Sequence, residues 1–248
     1  MSKIFPSMCN KPEKSHVIIL IPCWIWILIL FPIYFLPLIG AGIWEQAVNG
    51  TWIEIGYHVA NAVVLFLVLS RYLKEEWFMA KLDFGSTLKH VLLTIGLMAG
   101  TELILLGTLH LCGFNLADIM EFLPVVEMSI SHTPLALLMY NPIFGTIVVS
   151  IFAPFSVVAL FYCLGFAPIC YRKPWLGYVC VAALVLLQAV VDILWRGDGA
   201  FVMGGYIVNL PIHLLACWSY QKTDNVWTPI ITLGLANLII SIVQILVF

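Results

Sequence analysis

The stretch HVLLTIGLMAGTELILLGTLHLC, His90–Cys112, is apolar from end to end apart from Glu102, two histidines and scattered threonines. An α-helix needs about 20 such residues to cross the hydrocarbon core of a bilayer, because every backbone N–H and C=O must find its partner inside the segment. The stretch reads as a membrane-spanning helix. Six others read the same way: Val17–Ile43, Ile53–Tyr72, Pro142–Pro168, Leu176–Trp195, Phe201–Tyr220 and Thr228–Phe248. The first is too long for the 7 to 15 residue core of a secretory signal, so it is read as a span.

Composition agrees. Of 248 residues, 62% are hydrophobic and 10% charged, against roughly 25% charged in soluble domains. A net charge of −2 offers no basic excess to follow a phosphate backbone, which excludes nucleic acid as a partner and leaves the lipid bilayer. The cysteines number seven, contain no C-x-x-C pair and fall mostly in apolar runs (Cys23, Cys163, Cys170, Cys180, Cys217), where they act as small hydrophobes. No cofactor is indicated. No histidine pair has H-x-x-x-H spacing, so no metal site is expected either.

The loops supply an independent test, because basic residues near helix ends stay on the cytoplasmic side. Lys3, Lys11 and Lys14 precede the first span; Arg71, Lys74, Lys81 and Lys89 lie between the second and third; Arg172 and Lys173 follow the fourth, and Lys222 follows the sixth. The opposite connections hold Glu45, Asp118, Glu121, Glu127 and Asp198, with Arg196 as the one basic exception. The expected fold is therefore an all-α, polytopic transmembrane bundle of about seven helices with a cytoplasmic N-terminus. It divides into a cytoplasmic segment 1–16, N-terminal helices and loops 17–141, and a C-terminal core 142–248 within one membrane domain. Gly113–Asn141, half apolar, is expected to be re-entrant or interfacial. The basic and aromatic residues Lys74, Trp77, Phe78 and Lys81 suit either a short interfacial helix or a solvated loop. Gly96 and Gly100 form a GxxxG pair open to close helix approach.

A charge at mid-bilayer costs roughly 2.5 to 3.5 kcal/mol, so intramembrane polar groups need a partner or a task. Glu102 has two readings: an acid, proton carrier or ligand, or a protonated carboxyl bonded to a neighbouring helix. Asp192 either functions or pairs with Arg196 four residues on. His213 reads as a hydrogen-bonder or a site residue. Asn237, Ser241 and Gln244 share one face of the last helix, making a polar stripe toward the bundle. Leu233 and Gly234 continue it toward the cytoplasm.

The window from Tyr220 to Asn237, YQKTDNVWTPIITLGLAN, resembles a C-terminal signature of the form Y-x-x-T-G-S-x-W-x-P-I-x-x-H-x-x-x-N, matching at Tyr220, Thr223, Trp227, Pro229, Ile230 and Asn237. The signature belongs to the CPBP family, the CAAX prenyl protease and bacteriocin-processing membrane proteins also called Abi, and looser agreement extends upstream to about Phe152. The resemblance implies a helical intramembrane protease in which E-E-x-x-x-R, F-x-x-x-H and H-x-x-x-N/D motifs on successive helices activate water. On that alignment Val157 and Val158 stand where the two glutamates belong, Tyr162 where the arginine belongs, Asp192 loosely at the second motif's histidine, and Leu233 at the third's; Asn237 alone remains. Valine cannot act as a general base, nor leucine hold an oxyanion.

The expectation is a catalytically degenerate member, a pseudoprotease that binds a peptide, a lipidated peptide or a membrane-protein partner. Glutamates at positions 157 and 158 would then be tolerated if the cavity is wet. Two alternatives stand beside it: an active membrane endopeptidase drawing on Glu102, Asp192 and His213, and a transporter or secretion-complex subunit with Glu102 as a proton site. The family resemblance and the lack of a glycosylation bias point to a bacterial cell membrane.

Overall fold

The computed structural model describes residues 47–113, 142–170, 173–196 and 199–247. The expected span Val17–Ile43 and the connection Gly113–Asn141, beyond its first residue, lie outside them. All regular structure among the described residues is helical: α1 (Ala47–Leu82), α2 (Phe84–Leu111), α3 (142–170), α4 (Pro174–Arg196), α5 (Gly199–Thr223) and α6 (Trp227–Val247). Phe84–Leu111 and Pro142–Cys163 are each long and apolar enough to cross a membrane, and Pro174–Leu187 and Trp227–Ile242 are shorter apolar helices.

α1 and α2 each bury one stripe at helical spacing, whereas the middle of α3, residues 153–159, is buried all round. In α1 the stripe is Ala62, Leu65, Leu69, Leu73, Glu76 and Ala80; in α2 it is Thr87, Val91, Thr94, Met98 and Glu102. Steps of three and four residues keep a side chain on one face. The opposite faces are not polar. Leu103 and Ile104 of α2 are 70% and 71% exposed, and Leu67, Phe66, Ile143 and Ile151 also point outward.

The stripe of α1 corrects one expectation. Residues 73–82 form no loop and no separate interfacial helix: α1 runs through them to Leu82, and only Asp83 interrupts the path into α2. Exposed charges alternate there with Leu73, Glu76 and Ala80, which stay buried, so the amphipathic period never breaks. α1 packs against α3, α2 lies along α5 and α6, and α4 packs on α3 and α5. Where these meet, a continuous apolar core gathers Leu65, Leu69, Val157, Val158, Phe161, Tyr162 and Leu233.

Helix α3 is irregular for a readable reason. It opens as α-helix at Pro142–Ile147, widens to a π-turn at Val148–Phe152, returns to α at Ala153–Val157 and widens again at Val158–Phe166. Pro154 has no N–H, so a carbonyl one turn earlier loses a donor and the register at Val148–Phe152 relaxes into i→i+5 bonding; the second widening, C-terminal to the proline, has no such cause in it. Tight packing is placed by Gly165 and Gly177, which seat α3 and α4 together, and by Gly234; nothing among the described residues lies within 4 Å of a Cβ built on Gly96 or Gly100. Among the described residues the close backbone approach falls at Gly234.

Candidate functional site

Among the described residues, the positions that the sequence resemblance aligns with catalytic motifs are all buried in the apolar core. Val157 and Val158 of α3, Tyr162 one turn on, and Leu233 of α6 lie in one core cluster, with relative exposures of 1%, 0%, 0% and 0%. Their neighbours in that cluster are Phe155, Phe161 and Ala159. Tyr162 is the polar exception, and its hydroxyl meets Nδ1 of His213 on α5 at 3.4 Å. The ring of Phe161 stands 5.9 Å from the imidazole. His213 is thus brought to the motif centre, and it is engaged by a tyrosine rather than by a carboxylate. Asp192 and Gln244 have side chains outside those described.

Asn237 has a structural occupation that follows from α3. In the π-turn, the N–H of Ala153 donates to the carbonyl of Val148. Val149 C=O thereby loses its ordinary α-helical donor, and its π-helical donor would be residue 154, which is proline. Asn237 Nδ2 supplies the missing hydrogen bond to Val149 O at 2.9 Å. One helical turn away Gly234 meets the neighbouring carbonyl, and a Cβ there would stand 2.5 Å from Ser150 O. A buried unpaired carbonyl costs about 1–3 kcal/mol. Asn237→Ala is therefore expected to lower stability by about that amount, and Pro154→Ala in the same chain to recover part of it by returning a backbone donor. Thermal melting of the two single variants and the double variant measures the coupling; strict additivity would contradict it.

The matched signature residues build a clamp at the other end of α6. Thr223 Oγ1 donates to Ser219 O, and Asp224, where the signature has glycine, ends α5 in the left-handed region at φ 59, with its N–H returned to Tyr220 O at 2.9 Å. Aspartate tolerates that conformation better than most residues. Asn225 then caps α6: its Oδ1 accepts from the N–H of Trp227 at 2.9 Å, and its Nδ2 donates to Glu76 O at 2.7 Å. Trp227 Nε1 donates to Leu73 O at 2.9 Å. Its ring meets Trp77 edge-on at 5.1 Å, and Lys81 lies 5.3 Å above Trp77. Tyr72 and Tyr220 join hydroxyls at 3.1 Å. These contacts fasten the α5–α6 turn onto α1. Sequence reasoning found Tyr220, Thr223 and Trp227 but missed Asn225 and Glu76.

Glu76 gives the clamp a pH response. Burial pushes its carboxyl up from 4.5 to about 7, with Asp224 and Glu75 adding to the rise and the backbone N–H of Val226 opposing it. Between those pH values the folded state holds a proton that the unfolded state has released, so stability falls as pH rises from 4.5 toward 7 and then levels. The full difference corresponds to about 3 kcal/mol. Glu76→Gln is expected to flatten that slope in melting curves taken from pH 4.5 to 8; an unchanged slope would contradict the assignment.

Two further polar residues stand apart from this centre. Glu102 is 8% exposed and both its carboxylate oxygens are buried without a hydrogen-bond partner among the described residues; Ser241 is fully buried and its Oγ likewise has none. Among the described residues no group of three His, Cys, Asp or Glu side chains is arranged to hold a metal. Compared with family models, curated proteins and solved structures, the chain matches none of them.

Proposed function

We propose that this chain is a multi-pass membrane protein of the cytoplasmic-N-terminus topology, built like a CPBP intramembrane protease whose catalytic positions have been filled, and that it works by binding a peptide, lipidated peptide or membrane-protein partner without cleaving it. One observation carries the reading: the motif-equivalent side chains Val157, Val158, Tyr162 and Leu233 are each at most 1% exposed within the apolar core, where a protease would need a base and a water. General-base catalysis requires a titratable group within about 2.6–3.2 Å of the proton it takes. The imidazole of His213, which reaches this core, is bonded to Tyr162. Of the matched signature residues, Tyr220, Thr223 and Trp227 bond at the α5–α6 turn and Asn237 bonds a backbone carbonyl. The outward leucines of α2 support a lipid surround, and the basic residues of 71–89 support a cytoplasmic corner in a bacterial cell membrane.

The test has two parts. Single cysteines placed at Lys81 and at Asp198 should react with a membrane-impermeant maleimide from opposite sides of sealed vesicles; reaction from the same side sinks the topology. A photo-crosslinkable farnesylated peptide should attach to the reconstituted chain saturably and be released intact. Attachment that does not saturate removes the binding role.

A further inference from the structure

The outward face of α1 changes character twice along its length. Opposite the buried stripe of Leu69, Leu73, Glu76 and Ala80 it presents Val63, Val64 and Leu67, exposed and apolar, and then Arg71 and Lys74, exposed and basic. A helix leaving a membrane for water would stay polar from there. This one turns apolar again: Phe78 and Leu82 follow at 61% and 68% exposure with Lys81 between them, and Phe84 and Leu88 of α2 are exposed just past Asp83. Steps of three and four residues from Lys74 keep Phe78, Lys81 and Leu82 on the outward face. Hydrogen bonds set where this tip stands relative to the bundle. Asn225 Nδ2 reaches Glu76 O at 2.7 Å, Trp227 Nε1 reaches Leu73 O at 2.9 Å, and Trp227 meets Trp77 edge-on. The α5–α6 turn therefore lies alongside Leu73–Trp77, and α1 carries on past it to Leu82 before α2 returns from Phe84. Between positions 78 and 88 only Ala80 and Thr87 are buried. Large apolar side chains thus stand clear of the bundle at this end, among lysines.

We propose that the α1–α2 tip, residues 71–89, is a docking surface for the headgroups of anionic phospholipids in the adjoining leaflet, an inference that rests on the membrane reading above. Phe78, Leu82 and Phe84 sit at the boundary between headgroup and acyl chain, where aromatic rings are favoured. Lys74 and Lys81 extend their stems along that apolar surface and hold their ammonium groups on the phosphates. Charge selects the partner. Four exposed cations, Arg71, Lys74, Lys81 and Lys89, stand against two exposed anions, Glu75 and Asp83, and Glu75 is tied to Arg71 at 3.3 Å. Lys81 also lies over the Trp77 ring at 5.3 Å, which keeps its charge beside the apolar tip. A second copy of the chain would meet the same apolar groups while burying like charges against each other, whereas a surface of anionic phosphates offers each cation a partner. Each lysine near such a surface strengthens the contact about fivefold.

Photoreactive lipids read the surface directly. The full-length chain is reconstituted in phosphatidylcholine vesicles doped with phosphatidylglycerol or, separately, phosphatidylcholine that carries a diazirine beside its glycerol, and adducts are mapped by peptide mass spectrometry. Adducts on residues 78–84 are expected at least about fivefold more often from the anionic probe. Salt at about 1 M, which shortens the screening length to about 3 Å, should erase most of that preference. The K74Q/K81Q variant, whose altered side chains are exposed, should lose the preference by at least about fivefold; where it elutes abnormally, the salt series on the parent chain decides. Equal adducts from the two probes, or a preference that salt leaves intact, would overturn the proposal. A diazirine at the end of an acyl chain should label Leu103 and Ile104, which α2 exposes, in every vesicle. Labelling there with no adduct at the tip would mean that something other than lipid meets the tip, and the proposal would fall alone. Failure at both places would take the membrane reading down with it.

Discussion

Val158→Glu is expected to leave no folded protein. The side chain it replaces is 0% exposed and lies in a cluster with Val157, Phe161, Tyr162 and Leu233. A carboxylate placed there has no partner, and the penalty for burying an unpaired ion in real proteins is several kcal/mol. Whole domains are stable by only about 5–15 kcal/mol. The expectation that glutamates would be accepted at 157 and 158 was conditional on a wet cavity, and the apolar cluster does not supply that condition. Val158→Ile, which keeps polarity and adds one methylene, should cost about 1–3 kcal/mol and leave a folded protein. Size-exclusion profile and melting temperature in detergent read both; a monodisperse V158E protein melting within a few degrees of the parent would show that the position meets water.

The second large effect belongs to Gly234→Val. A Cβ at this position would stand 2.5 Å from the carbonyl oxygen of Ser150, and that oxygen is backbone, so it cannot swing aside. α6 would have to withdraw from α3, taking Asn237 away from Val149 O. Overpacking costs about 1–3 kcal/mol and the orphaned carbonyl about as much again, so a loss of about 3 kcal/mol or more is expected. Gly96→Val is the matched control, because no described atom lies within 4 Å of its Cβ position. Its effect should stay within about 1 kcal/mol. Comparable losses at both glycines would contradict the placement of the close contact.

What was legible in the sequence depended on whether the signal was local. Apolar runs announced the helices α2 to α6 because helix propagation and burial are written in consecutive residues. The extension of α1 past Tyr72 is masked by its composition: Lys74, Trp77, Phe78 and Lys81 suit a short interfacial helix or a loop equally, while the deciding stripe Leu73, Glu76, Ala80 is sparse and part polar. Asn237 was legible as a polar residue on a chosen face. Its partner was not, since Val149 O becomes needy only through the register of a π-turn and a proline in another helix. Pro154 was the available hint, because a proline four or five residues after a carbonyl removes a donor wherever it falls. The Tyr162–His213 contact joins residues fifty-one apart, and no spacing rule reaches that far. Gly96 and Gly100 illustrate the converse: a motif permits close approach without requiring it.

The same distinction governs the signature from Tyr220 to Asn237. Its residues can be matched by eye, and the match implies an intramembrane-protease fold whose catalytic groups are replaced. In the fold, Asn225 caps a helix, Trp227 reaches the α1 backbone, and Asp224 turns the chain. Those roles belong to architecture, and architecture alone does not carry a reaction.

The most direct measurement is peptide turnover by the purified, unmodified chain in lipid vesicles. A farnesylated peptide with a free three-residue tail is incubated to many hours and followed by mass spectrometry, beside E102Q and H213A variants. The substrate is expected to bind and to remain whole in all three. Release of the tail by the parent chain, lost in either variant, would mean that Glu102 or His213 supplies the missing base and that the filled centre is not the end of its chemistry.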